Sequence, residues 1–211
     1  QKITSVEQQG SIVCVHTAEG QTYCADLLVL AIGVAPESQL ARQAELALSE
    51  RGCIQVDEHL RTSDADIYAL GDAIEVTHFV SGLKAYIPLA GPANRQGRIV
   101  ADNIAGLDSV YRGTQGTAVL KCFEQTVAGT GLTEAAAKAA GFDYEKVFVF
   151  PMSHASYYPN ACEISMKVIF TKDTGRILGA QLVGKDGVDK RCDVLATAIR
   201  ANMTMYDLVH L

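Results

Sequence analysis

The sequence predicts a mixed α/β region followed by an α+β unit built on an antiparallel sheet, and three observations carry that prediction. A short apolar stretch runs into a Gly-Asp pair in T-S-D-A-D-I-Y-A-L-G-D, Thr62 to Asp72. The next motif, I-P-L-A-G-P-A-N-R-Q-G-R from Ile87 to Arg98, opens a helix with prolines and a glycine. From Thr117 onward the order reads β-β-α-β-β-β-α, which suits an antiparallel sheet backed by helices rather than a parallel one.

Taken in order, Ile3 to Glu7, Ser11 to Thr17 and Gln21 to Cys24 are strand-like around Gln9-Gly10 and Glu19-Gly20, a small antiparallel meander. Asp26 to Ile32 reads as a buried strand ending at Gly33. Leu40 to Leu48 has helical composition, and Cys53 to Asp57 reads as a short strand. Ile99, Val100, Asn103 and Ile104 recur at helical spacing before Gly106, which predicts a helix over about 92–105. Tyr111 to Thr117, with Gly113 and Gly116, reads as a linker and sets a boundary between 1–112 and 113–211.

In the second part, Thr117 to Phe123 and Thr126 to Gly131 read as strands. Thr133 can cap a helix running to Ala140, with Gly141 closing it. Lys146 to Pro151, Ile164 to Thr171 and Arg176 to Val183 are strand-like, the last two joined by the turn K-D-T-G. A final helix spans Val188 to Ala201, with Val194, Leu195, Ala198 and Ile199 on one face.

The composition excludes several classes. Of 211 residues, 48% are hydrophobic and 20% charged, which describes an ordinary globular chain. A net charge of -6 with scattered Lys and Arg argues against nucleic acid as a partner. The longest apolar run, Leu27 to Ala35 with Gly33 inside it, falls far short of the roughly 20 residues a spanning helix needs, so no membrane partner is expected. Polar opening residues without an apolar stretch behind them read as cytoplasmic. The opening straight into strand-like sequence without Met predicts an excerpt of a longer polypeptide.

Six cysteines, Cys14, Cys24, Cys53, Cys122, Cys162 and Cys192, are never closer than ten positions apart, so no metal-ligand spacing exists. They read most simply as small, partly buried hydrophobes. Cys14 and Cys24 lie on two arms of one hairpin and can be neighbours, which does not by itself establish a disulfide.

Together, the Gly-Asp and A-G-P-A-N-R-Q motifs resemble the second half of the flavin domain of the pyridine nucleotide-disulfide oxidoreductases. The branch is the one holding coenzyme A-disulfide reductases, NADH oxidases, NADH peroxidases and persulfide reductases. The resemblance continues through G-T-A-V-L-K (Gly116 to Lys121), T-V-A-G-T-G-L (Thr126 to Leu132), H-A-S-Y-Y-P (His154 to Pro159) and L-G-A-Q-L-V-G-K-D-G-V-D-K-R (Leu178 to Arg191). It implies a partial Rossmann-like FAD/NAD(P)-binding region over 1–112 and a dimerisation domain over 113–211. FAD and NAD(P)H are the implied cofactors, a homodimer the implied assembly, and a small-molecule disulfide, persulfide or oxygen species the implied substrate.

Gly71 lets backbone approach a ligand closely, and Asp72 offers a carboxylate to polyol hydroxyls; the plain alternative is a turn. With Leu89 and Ala90 they are the expected cofactor contacts. The amino end of the helix after Pro92 would aim N–H groups and a positive dipole end at an anionic reduced flavin, favouring it by about 0.3–1 kcal/mol; the plain alternative is a solvated helix end. Asn94 matches a position that faces the thiol substrate.

Tyr157 and Tyr158 each pair a ring with a weakly acidic hydroxyl, suited to positioning or protonating a thiolate leaving group, and the resemblance places their loop at the partner subunit's site. The plain alternative for both is packing. His154 reads as structural, satisfying a local hydrogen bond. Asp186 to Arg191 reads as capping and surface pairing, with an interface charge network as the alternative. No G-x-G-x-x-G occurs, and none of the six cysteines matches the family's redox-active one, so the chain alone is expected to be catalytically silent. A ligand-free self-associating module and an independent small-molecule binder at the Gly71-Asp72 crevice are the competing readings.

Overall fold

The structure, a computed structural model, describes residues 2–210. They divide at Ala35 and Pro36 into two compact units. The first is an antiparallel meander of β1 (Ile3–Gln9), β2 (Ile12–Thr17) and β3 (Thr22–Ala25), in the order β1-β2-β3. After it, Asp26 to Ile32 forms no strand: Leu27, Val29 and Ile32 are exposed. The expected buried strand is thus corrected, because a strand needs a neighbouring ladder for its N–H and C=O groups and no described segment supplies one here.

The second unit opens with α1 (Gln39–Gln43), shorter than the helical composition predicts. Glu45 has φ 56°, a left-handed conformation that ends the helix, and Leu48 bridges Ile54 instead. The strand expected over Cys53 to Asp57 is reduced to bridges from Ile54 to Leu48 and, in parallel, to Ile74. Likewise the apolar stretch before the Gly-Asp pair is a single bridge, Arg61 to Tyr68, leading into a 3-10 turn over Gly71–Ala73. A short ribbon, β4 (Val76–Thr77) and β5 (Lys84–Ala85), precedes α2 (Ala90–Ile104). Leu60, Ile74, Val76 and Val100 form the core under these elements.

The rest follows the expected order: β6 (Ala118–Cys122), β7 (Gln125–Gly131), α3 (Glu134–Ala139), β8 (Tyr144–Val149), β9 (Ile164–Thr171), β10 (Ile177–Gly184) and α4 (Val188–Arg200). An unpredicted one-turn helix, α5 (Met205–Leu208), is closed by a capping box between Thr204 and Asp207. The sheet runs β6-β7-β10-β9-β8 and every pairing is antiparallel. Thr133 caps α3, its hydroxyl accepting from Ala136 N–H at 3.2 Å.

α4 packs across β7 and β10, burying Val188, Cys192, Leu195, Ala198 and Ile199 against Leu178, Ala180 and Leu182. Gly179 on β10 lies against the end of β7, where a Cβ would collide with the backbone of Leu132. Phe79 and Val80 join the same core from the earlier half, and Arg176 donates to the Val80 carbonyl at 3.3 Å. The architecture is a partial Rossmann-like region followed by an α+β unit with an antiparallel sheet. Among the described residues no helix is long and apolar enough to cross a membrane.

Candidate functional site

The amino end of α2 is built for an uncapped approach. Leu89, its N-cap, is extended (φ -138°, ψ 140°) and gives no side-chain cap; Ala90 and Gly91 follow, exposed, and Pro92 occupies a first-turn position where its missing N–H costs nothing. A cleft of about 760 Å³ opens beside it, lined by Gly91, Pro92, Arg95, Thr117, Thr197 and Arg200.

Gly71 is brought onto this first turn. Its φ of 76° is a left-handed conformation that glycine adopts at little cost, and a Cβ there would sit 3.8 Å from the Ala93 Cβ. Gly71 N–H donates to Gln96 Oε1 at 2.7 Å, and Gln96 is 1% exposed. Sequence reasoning missed Gln96 as the joint between the two motifs. The signal was present: Gln96, Val100 and Asn103 form one helical stripe and all three are buried.

Asp72 follows, exposed, and its carboxylate makes no hydrogen bond to a described residue. Its charge still registers nearby. Burial first, then Asp72 and Cys53, hold the Tyr86 hydroxyl above the usual tyrosine range, with Arg51 opposing. The Arg51 guanidinium lies 5.9 Å from the Tyr86 ring centroid. Tyr86 carried no sequence signal, lying outside both motifs. Asn94 is exposed one turn beyond Ala90, on the same side of α2. Gly71, Asp72, Leu89, Ala90 and Asn94 thus share one neighbourhood.

Tyr157 and Tyr158 lie elsewhere, on the loop between β8 and β9, and no hydrogen bond or ring contact joins them to the α2 set among the described residues. They are 89% and 55% exposed, so neither is a core packing residue. His154 Nε2 lies 3.3 Å from Asp186 Oδ2, and its ring centroid 4.7 Å from that of Tyr158. The Asp186 to Arg191 segment departs from the expected capping role. Gly187, with φ 73°, is the N-cap of α4 and no side chain caps that helix; Asp186 reaches His154, and Arg191 donates to the Ser153 carbonyl at 2.7 Å.

Cys14 and Cys24 form a disulfide, which corrects the reading of these two as plain hydrophobes. They face each other directly in the β2–β3 register, with Cα atoms 4.1 Å apart. Cys53 and Cys192 are free and buried, Cys122 is free and exposed, and Cys162 is free and half-buried. Burial pushes the Cys192 thiol up to about 11, so it is not a thiolate near neutrality. Among the described residues no group of three or more His, Cys, Asp or Glu could hold a metal ion.

Comparison with known proteins fits this arrangement. The family model for pyridine nucleotide-disulphide oxidoreductases matches residues 1–97, and that for their dimerisation domain matches 117–211. The chain is 36% identical over 205 residues to the NAD(P)H sulfur oxidoreductase (CoA-dependent) of Pyrococcus abyssi, covering 97% of this chain and 46% of that protein. With the coenzyme A disulfide reductase of Staphylococcus epidermidis it shares 36% identity over 184 residues, 87% of this chain and 42% of the relative. The chain spans about half the length of the curated relatives it matches. Among solved structures, reduced Bacillus anthracis CoADR-RHD superposes with a TM-score of 0.92 at 54% identity, over 99% of this chain and 37% of that one. A NAD-dependent persulfide reductase from A. fulgidus gives 0.93 at 43%, over 100% and 39%. Two successive family models, relatives matched along nearly the whole chain and the same fold at high identity agree on one assignment: this chain belongs to the pyridine nucleotide-disulfide oxidoreductases.

Proposed function

We propose that this chain forms the second half of an FAD-dependent, NAD(P)H-consuming oxidoreductase that reduces a disulfide, persulfide or oxygen species, in the manner of a coenzyme A-disulfide reductase. The observation that carries the proposal is the Gly71–Gln96 joint, which sets an unpartnered carboxylate, Asp72, against an uncapped helix start. Those groups fit a flavin: the carboxylate can accept from polyol hydroxyls, and the Ala90 and Gly91 N–H groups can donate to an anionic ring edge. Bound there, FAD would supply hydride acceptance from nicotinamide and electron delivery to sulfur or oxygen.

The chain's own residues take the remaining roles. Gly71, Asp72, Leu89 and Ala90 would hold the cofactor, and the positive end of α2 would favour its reduced form by about 0.3–1 kcal/mol. Asn94 faces the thiol substrate. When a thiolate attacks a disulfide, one S–S bond forms as the other breaks, and the Tyr158 hydroxyl, with Tyr157 beside it, gives its proton to the departing sulfur and recovers one from water. The attacking thiolate belongs to a cysteine outside the six here, a reading supported for four of them by the burial of Cys53 and Cys192 and the pairing of Cys14 with Cys24.

Residues 113–211 form the dimerisation domain, pairing two copies so that Tyr157 and Tyr158 serve the partner's flavin; the exposed Val119, Leu120, Phe123, Phe148 and Phe150 support such a face. A cytoplasmic home, where reduced nicotinamide is supplied, completes the proposal. The test is purification of the intact parent. Stoichiometric FAD with NAD(P)H oxidation, and no turnover by the isolated chain, is the expected result; a colourless parent that leaves NAD(P)H untouched refutes it.

A further inference from the structure

The loop carrying Tyr157 and Tyr158 is closed by its own backbone. Ser153 N–H donates to the Cys162 carbonyl at 2.7 Å, Cys162 N–H to Ser153 Oγ at 3.1 Å, and Ile164 N–H to the Pro151 carbonyl at 2.9 Å. At its tip the restraint is thin: Tyr158 N–H reaches the Ala155 carbonyl at 2.8 Å and Ala161 N–H returns to the Tyr158 carbonyl at 3.2 Å. Nothing in that turn fixes the Tyr158 side chain, whose hydroxyl makes no hydrogen bond to a described residue.

What touches the side chain is His154, its imidazole tilted 36° to the phenol ring at 4.7 Å between centroids. The imidazole in turn is held by Asp186, 32 positions away in sequence, at 3.3 Å. Arg191 clamps the same loop from the other side of the α4 start through Ser153. Asp186 does not cap α4, and neither Asp186 nor His154 belongs to the core. Among the described residues, the ring contact this pair makes is with Tyr158.

We propose that His154 and Asp186 are positioning residues for Tyr158: the imidazole sets the plane of the phenol ring, and the carboxylate sets the imidazole. This rests on the reading of Tyr158 as proton donor to the departing sulfur. Without the imidazole the ring would spread over the three staggered χ1 wells, and a displacement of about 1 Å at a reacting group can cost on the order of 100-fold.

The experiment uses the intact parent, with FAD content and dimer mass checked for each variant, and two substrates: an alkyl disulfide, whose departing thiolate is basic, and an aryl disulfide, whose thiolate leaves unaided. Tyr158→Phe and His154→Leu should each lower kcat on the alkyl disulfide about 10–100-fold with KM little changed, and leave the aryl disulfide within about 3-fold of wild type. Asp186→Asn should lie between, and His154→Phe, which keeps a ring beside the phenol but offers Asp186 nothing to hold, should recover only to about the level of Asp186→Asn. If Tyr158→Phe slows the alkyl substrate while His154→Leu and Asp186→Asn do not, the positioning role is refuted and the proton-donor role stands. Equal slowing of both substrates by His154→Leu marks a merely structural residue and also refutes it. Wild-type turnover by Tyr158→Phe removes the proton donor, and the inference with it.

Discussion

Replacing Asp72 separates binding from stability, because its carboxylate is exposed and makes no hydrogen bond within the chain. Asp72→Ala should therefore shift unfolding by no more than about 0.5 kcal/mol, the range for surface changes away from special features. Cofactor binding should respond differently. A hydrogen bond to a charged acceptor contributes about 1.5–3 kcal/mol, and 1.4 kcal/mol is tenfold in affinity, so FAD should bind the intact apoprotein roughly 10- to 150-fold more weakly. Asp72→Asn keeps an acceptor oxygen without the charge and should fall between. A second readout is independent of flavin: Asp72 helps hold the Tyr86 hydroxyl above its usual range, so its removal should move that titration down, as seen in ultraviolet difference spectra. The reasoning is refuted if FAD affinity is unchanged in Asp72→Ala, or if affinity and melting temperature fall together.

Three further outcomes follow from the fold. Alkylation of the oxidised chain under denaturing conditions should label four thiols, and six after reduction, since two of its six cysteines are joined; six labels without reductant would contradict the hairpin disulfide. Burial holds the His78 imidazole below its ordinary 6.5, while its Nδ1 accepts from Val80 N–H at 3.2 Å. The neutral form is thus favoured in the folded state, so the stability it contributes is complete above about pH 6.5 and is lost as pH falls through the lowered value. The acid side of a urea-melt pH profile should flatten in His78→Gln; an unchanged slope would contradict this. Gly179→Ala should destabilise by about 1–3 kcal/mol or prevent folding, because the added methyl meets the Leu132 backbone, and wild-type melting would show the sheet yields there.

The second half was legible because its sheet is complete within its own stretch of chain. Five strand-like segments pair with one another, Thr133 supplied its cap, and the K-D-T-G turn fixed β9 against β10. The first half was less so wherever a pattern needs a neighbour. Leu27, Val29 and Ile32 spell a buried strand, yet no described ladder receives it. Leu40 to Leu48 spells a helix, yet Glu45 turns left-handed and Leu48 pairs with Ile54. In the candidate site, the motifs located Gly71 and the start of α2, but their joint through Gln96 spans 25 positions and appears only once the chain is folded. His154 was legible as a hydrogen-bonded residue; its partner Asp186, and the Tyr158 ring above it, were not.

The central claim is that the Gly71–Asp72 turn and the amino end of α2 together hold a flavin. A crystal structure of the intact parent with its cofactor tests this most directly. An Asp72 carboxylate oxygen about 2.5–3.2 Å from a polyol hydroxyl, with Ala90 or Gly91 N–H facing the ring edge, is the predicted result. A flavin bound elsewhere, with Asp72 left in solvent and the α2 amino end bare, would contradict it.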